Sequence, residues 1–258
     1  MQQPFVTYRE YLPHPLLQDY IKTYWSFEFG EGTIQPFDII PDGYFDMIIS
    51  LQNNCISDTT LVGIWSKLTT VQRNKWNVIG IRFKPLALSV LLDMTISDLL
   101  DGSASVDLSD WHLNKNALND SLNVSENTVF DYLNSQFLLK LHFNKHKQDK
   151  RLTALFHLID RYQGIISVQT ISDSIGLSTR QMQRKVTDLL GIGTKDYANI
   201  IRFSNNLDLI KGDPANYQGY FDQAHFIKEF KRYTGITPSK IDLSNSVRFL
   251  QYYDLKNP

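Results

Sequence analysis

Apolar residues recur with two different periods along this chain, and the change of period divides it. Between residues 20 and 90 they gather in short runs rich in Ile, Val, Tyr, Phe and Trp: Tyr20–Phe29, Phe37–Leu51 and Asn77–Phe83. Runs of this kind, bounded by turn residues, predict strands. Pro41-Asp42-Gly43 is one turn signal, and Gly30 to Gly32 supplies another. Several short strands with polar breaks predict a small barrel-like or sandwich domain. From Leu86 the spacing lengthens. Leu86, Leu88, Val90, Leu91 and Leu92 form a buried helix-like run. Leu122, Val129, Phe130, Leu133, Phe137, Leu138 and Leu141 fall near helical spacing across residues 118–143. Two uses are open to that stripe: a dimer helix, or packing against the barrel.

The stretch His142–Arg151 is polar and mostly basic and reads as a domain link. Beyond it only helices are predicted. Leu152, Leu155, Phe156 and Ile159 make one apolar stripe, and Val168, Ile171 and Ile175 make a shorter one. The expected fold class is therefore α+β. Residues 1–144 form a β-rich domain with trailing helices, and residues 145–258 form an all-α domain.

The second short helix is stopped by Gly176, a residue favoured just past helix C-termini. Ser178 then opens a new helix, with Gln181 in the position that completes a capping box. A short helix, a tight glycine-containing turn and a capped helix predict a helix-turn-helix. Met182, Val186, Leu189 and Leu190 form the buried face of its second helix. Arg180, Gln183, Arg184 and Thr187 form the other face, with Thr179 at its start. Arg pairs bidentately with guanine and Gln with adenine in the major groove, which admits such a helix.

A repeat adds to this. Arg184–Tyr197 (RKVTDLLGIGTKDY) resembles Lys228–Ile241 (KEFKRYTGITPSKI) at an offset of 44 residues, which aligns Gly191 with Gly235. In the second copy Asp222 is the expected cap. Phe226, Phe230 and Tyr233 point inward there, and Gln223, His225, Lys228 and Arg232 outward. Two copies can address successive major-groove faces, about 34 Å apart. Lys195–Lys211, with Tyr197, Ile200, Ile201, Leu207 and Ile210, reads as the helix that joins them.

Charge separates the halves in the same place. Net charge is −1 over 258 residues, but residues 145–258 hold 17 Lys and Arg against 11 Asp and Glu, and residues 1–144 hold 9 against 16. A basic half joined to an acidic one suggests that only the second meets a polyanion. No run of about 18 apolar residues is present, so no membrane partner is expected. The N-terminus lacks a basic patch followed by an apolar stretch, and the expected setting is the cytoplasm.

At residues 219–238 the sequence GYFDQAHFIKEFKRYTGITP strongly resembles the signature of AraC/XylS-type transcription regulators, and the resemblance extends over roughly residues 150–241. It implies two helix-turn-helix units on a long joining helix. It implies base contacts by Arg180, Gln183 and Arg184 in the first unit and by Gln223, His225 and Lys228 in the second. Double-stranded DNA is the implied partner, with RNA polymerase and a second copy of the chain as further ones, and either activation or repression as the outcome. Ile40-Pro-Asp-Gly43, Leu61-Val-Gly63 and Gly80-Ile-Arg-Phe-Lys-Pro85 resemble a sensor domain found ahead of such modules. Asp42, Trp65 and Arg82 are the candidates for contact with a small-molecule effector.

The sequence departs from this pattern at one place. A helix of about two turns normally precedes the Gly-Tyr pattern of the second unit. Here only Gly212–Gln218 lies between Lys211 and Gly219, and Pro214 discourages a helix interior. Either the second unit lacks its supporting helix, or a stretch of chain is missing there. If the chain is continuous, a second unit weakened in packing and DNA binding is expected.

Other chemistry finds less support. His142 and His146 have the i, i+4 spacing of some zinc sites but no third ligand, so no metal is expected. The single cysteine, Cys55, cannot make an internal disulfide or a multi-cysteine zinc site. Asp42 and Asp46 are better explained by turn chemistry than by acid–base work. No cofactor and no catalytic residue is expected. Two rivals stand beside the regulator: an enzymatic or ligand-binding β-domain with a helical targeting module, and a ligand-binding module whose second DNA-reading unit is impaired.

Overall fold

A computed structural model describes residues 6–29, 36–71, 77–210 and 217–240. It is an α+β protein with a sheet-rich N-terminal half and a helical C-terminal half. The first half is built on strands β1 (Val6–Tyr11), β2 (Ile21–Phe29), β3 (Phe37–Ile39), β4 (Phe45–Gln52), β5 (Cys55–Val62), β6 (Thr69–Val71), β7 (Asn77–Phe83) and β8 (Ser103–Ser105). Six of them form one antiparallel sheet in the order β1-β2-β7-β4-β5-β8, and β3 pairs separately with β6. The expected barrel therefore does not close, since β1 and β8 lie at opposite edges of an open sheet.

Register explains the two faces of the sheet. Tyr24, Ile81, Met47 and Leu61 stand side by side on neighbouring strands and are all buried. Helices α1 (Lys115–Val124) and α2 (Glu126–Asn144) follow the sheet. Phe130 of α2 stacks on Tyr24 with ring centroids 5.3 Å apart, and Phe137 meets Phe83 edge-on at 5.7 Å. This is the second use foreseen for the 118–143 stripe: it packs on the sheet. Ser125, extended at φ −172°, interrupts the stripe and caps α2. On the opposite face Trp25 lies across Gly80, where any Cβ would fall 1.9 Å from the indole.

The helical half contains α3 (Lys150–Arg161), α4 (Val168–Ile175), α5 (Thr179–Leu190), α6 (Thr194–Ile210) and α7 (Gln223–Thr234). The basic link before α3 is anchored. Asn144 Nδ2 donates to the Val90 carbonyl at 3.1 Å, and Lys147 pairs with Asp93 at 2.6 Å.

The two halves share one continuous apolar core. The backbone N–H of Ile96 donates to the Leu189 carbonyl, at the end of α5, at 3.0 Å. The turn between β3 and β4 lies against α6. Gly43, at φ +80°, comes so near that a Cβ there would meet Ile201 Cδ1 at 2.5 Å. Among the described residues no helix is long and apolar enough to cross a membrane.

Candidate nucleic-acid interface

α4 and α5 meet at the tight turn that the sequence predicts. Gly176 adopts φ +64° and closes α4, a left-handed conformation that costs a glycine little. Ser178 Oγ accepts the Gln181 backbone N–H, and Gln181 Oε1 accepts the Ser178 N–H in return, a complete capping box. Leu177, Met182, Val186, Leu189 and Leu190 are buried beneath. Ser172 Oγ donates to the Leu177 carbonyl at 2.7 Å and so ties the turn to α4.

The outward residues divide into two groups. Arg180, Arg184 and Thr187 are exposed, and neither arginine has an acidic partner among the described residues. Thr179 is half-buried, with its hydroxyl 3.4 Å from Ser172 Oγ inside the motif. Gln183 departs from the expected outward role. Its Oε1 accepts the backbone N–H of Thr194 at 2.9 Å, capping the start of α6. Helical periodicity put Gln183 beside Arg180 and Arg184, but α6 begins next to it and takes its carbonyl. Lys185, not singled out from the sequence, pairs with Asp149 at 2.9 Å and ties α5 to the N-terminus of α3.

The second unit is built differently. Residues 211–216, with most of the departure foreseen at 212–218, lie outside the described residues. The chain enters α7 through Tyr217–Asp222 with no helix among these residues. The buried Asn206 of α6 holds this segment: its Oδ1 accepts the Gln218 N–H at 2.6 Å and its Nδ2 donates to the Gln218 carbonyl at 3.0 Å. Tyr217 stacks on Phe226 at 4.8 Å, and Tyr220 meets the same ring edge-on at 5.1 Å. Phe203 of α6 packs on Phe230 and Tyr233.

Arg202 of α6 reaches Glu229 of α7 at 2.6 Å and lies 4.6 Å from the centre of the Tyr220 ring. The expectation of weakened packing is thus corrected for α7. Phe226, Phe230 and Tyr233 of its inward face are buried against α6 and the two tyrosines.

Outside, Gln223, His225 and Lys228 are exposed. His225 Nδ1 accepts the Phe221 N–H at 3.4 Å. Arg232 leans back toward α6, 3.8 Å from Asp196.

The effector candidates lie in the other half. Arg82 sits between Asp46, at 3.3 Å, and Asp42, at 3.5 Å. Burial works against its charge, and the two carboxylates more than offset it, holding its proton more tightly than usual. Asp46 also accepts from Trp25 Nε1 at 3.0 Å. Both carboxylates considered for acid–base work are therefore engaged with Arg82. Trp65 is half-buried in the segment after β5.

Comparisons agree with this geometry. Residues 171–242 match a helix-turn-helix domain, and residues 9–105 match a domain of unknown function (DUF6597). Residues 171–242 are therefore an AraC-type helix-turn-helix domain, and a DUF6597 domain lies ahead of it. Among solved structures it is similar to an apo variant of ToxT from Vibrio cholerae, at 13% identity over 93% of this chain and 97% of that one, with a TM-score of 0.43. A second ToxT structure aligns at 13% identity over 91% and 97%, with a TM-score of 0.42. Wild-type ToxT with an unsaturated fatty acid bound aligns at 12% identity over 93% and 96%, with a TM-score of 0.40. No curated protein sequence matches the chain.

Proposed function

We propose that this chain is a sequence-specific DNA-binding transcription regulator that lays α5 in a major groove, with Arg180, Arg184 and Thr187 toward the bases. The carrying observation is a fully capped helix-turn-helix whose two exposed arginines lie one turn apart without acidic partners among the described residues. Bidentate pairing with guanine needs such a free guanidinium. Gln223 and His225 of α7 form a second reading face, and Lys228, farther along the helix, contacts the phosphate backbone. Thr179, Gln183 and Arg232 serve from behind, holding the elements in place. RNA polymerase and a second copy of the chain are the further partners, and the cytoplasm is the setting.

Residues 1–144 are the sensing half and residues 145–258 the DNA-reading half. A small-molecule effector would act through the turn that carries Asp42 and Gly43, because that turn links Arg82 to α6. Asp42, Trp65 and Arg82 remain the candidates for its contact. Footprinting of the full chain on a genomic fragment library, repeated over a range of salt concentrations, tests the DNA-binding role. Discrete protected sites with affinity falling steeply as salt rises are expected. Binding that stays uniform along every fragment would overturn it.

A further inference from the structure

Phe221 is 94% exposed, the most exposed of the large apolar side chains among the described residues. Its place makes this unusual. Asp222 caps α7, so Phe221 stands just before the cap and Phe226 is the fourth helical residue. Apolar residues at those two positions ordinarily close on each other as a hydrophobic staple. Here Tyr217 occupies one face of the Phe226 ring and Tyr220 its edge. The staple site is filled, and Phe221 is turned outward.

It is also held there. The Asn206 clamp on Gln218, the Gly219 turn at φ +75° and Arg202 over Tyr220 fix the segment up to Tyr220. The Phe221 N–H then donates to His225 Nδ1. The ring therefore projects from the N-terminal end of α7, beside exposed Gln223 and His225 and on a helix that also carries Lys228, Lys231 and Arg232. The N-terminal end of a recognition helix comes nearest the bases. The apolar feature displayed in a major groove is the thymine C5-methyl group.

We propose that Phe221 is a specificity residue that contacts a thymine methyl group in the half-site read by α7. The proposal rests on the DNA-binding role above. The basic helix brings the phosphate backbone close, and the ring supplies an apolar contact that the polar face of α7 lacks.

The test uses the full chain. Binding sites are selected from a random duplex pool for the wild type and for Phe221→Ala, and affinities are then measured on the selected site with single thymines replaced by uracil. The wild type is expected to select thymine at one position of one half-site. It should lose about fourfold in affinity when that thymine loses its methyl, the worth of one buried carbon. Phe221→Ala should lose the preference and become indifferent to uracil, while Phe221→Leu keeps part of both. Because the ring is exposed, its removal should leave thermal unfolding unchanged. Identical base preferences for the wild type and Phe221→Ala overturn the proposal, as does an equal loss on every sequence. Wild-type protein that selects no site at all overturns the DNA-reading role itself.

Discussion

Arg202 on α6 and Glu229 on α7 are joined at 2.6 Å, with side chains only 14% and 8% exposed. The pair crosses between the two helices where a supporting helix is otherwise expected. Removing one partner leaves the other charged and largely dry, which costs about 3 kcal/mol or more in comparable settings. Glu229→Ala should therefore loosen α7 selectively. Hydrogen exchange on the full chain should show residues 217–234 losing protection while α4 and α5 keep theirs. Equal loss across all five helices would mean that the pair holds the whole half together.

Gln183 carries a separate prediction. Its amide oxygen caps the first N–H of α6, and Gly193 passes so close that a Cβ there would meet that oxygen at 2.7 Å. Gln183→Ala should cost about 1 kcal/mol of stability, the usual worth of a lost cap. Base preferences in a site selection should stay as in the wild type. A changed preference at one base pair would return Gln183 to the reading face.

These two residues mark what the sequence discloses. The first helix-turn-helix is legible because its signals are local: Gly176 ends one helix, and Ser178 with Gln181 starts the next within six residues. The inward turn of Gln183 is hidden, because it depends on where α6 begins eleven positions later. The repeat places α7 and its buried face correctly, yet the tyrosines that pack on Phe226 lie outside the repeat. In the first half β2, β4 and β7 stand out as apolar runs. β5 does not, because Ser57, Asp58, Thr59 and Thr60 hide its alternation; its hairpin with β4 turns on Asn53 and Asn54, both at positive φ. Barrel closure is a property of edge pairing, which apolar patterning does not encode.

Acid should act on α5 through Asp149. Burial opposes the charge of this carboxylate, but Lys185 and the N–H groups of Leu152 and Arg151 outweigh it and hold its pKa below the usual carboxylate range. A depressed folded pKa gives stability that is present above the unfolded value, about 3.9, and is lost as pH falls through the folded one. Asp149→Asn should therefore destabilise the protein at neutral pH and make no difference in strong acid. Thermal unfolding at pH 7 and pH 2.5 measures this, and an equal gap at both would assign the effect to the cap alone.

Gly43 joins the sheet-rich half to α6. At φ +80° an alanine pays a left-handed backbone penalty of about 1–2 kcal/mol, and its Cβ would press on Ile201 and Tyr197. Gly43→Ala should lower the unfolding temperature and shift the DNA affinity of the full chain, because α6 carries α7. A variant that melts earlier yet binds its site unchanged would show that this contact does not carry the signal.

Arg184 and Lys228 offer the sharpest contrast between a proposed base contact and a proposed phosphate contact. Arg184 is exposed one turn into α5, and in the proposed docking its guanidinium pairs with guanine O6 and N7 together. Its loss should cost about 1–3 kcal/mol on the best site and much less on a site already altered at that base pair. Lys228 lies farther along α7, and its ammonium is a point charge without bidentate geometry. Lys228→Ala should weaken every sequence by a similar factor and reduce the salt slope by about one. Affinities of both variants on the selected site and its single-base variants, at two salt concentrations, separate the roles. If Arg184→Ala instead gave the uniform loss and the smaller slope, it would be the phosphate contact, and the reading of bases by α5 would pass to Arg180 and Thr187.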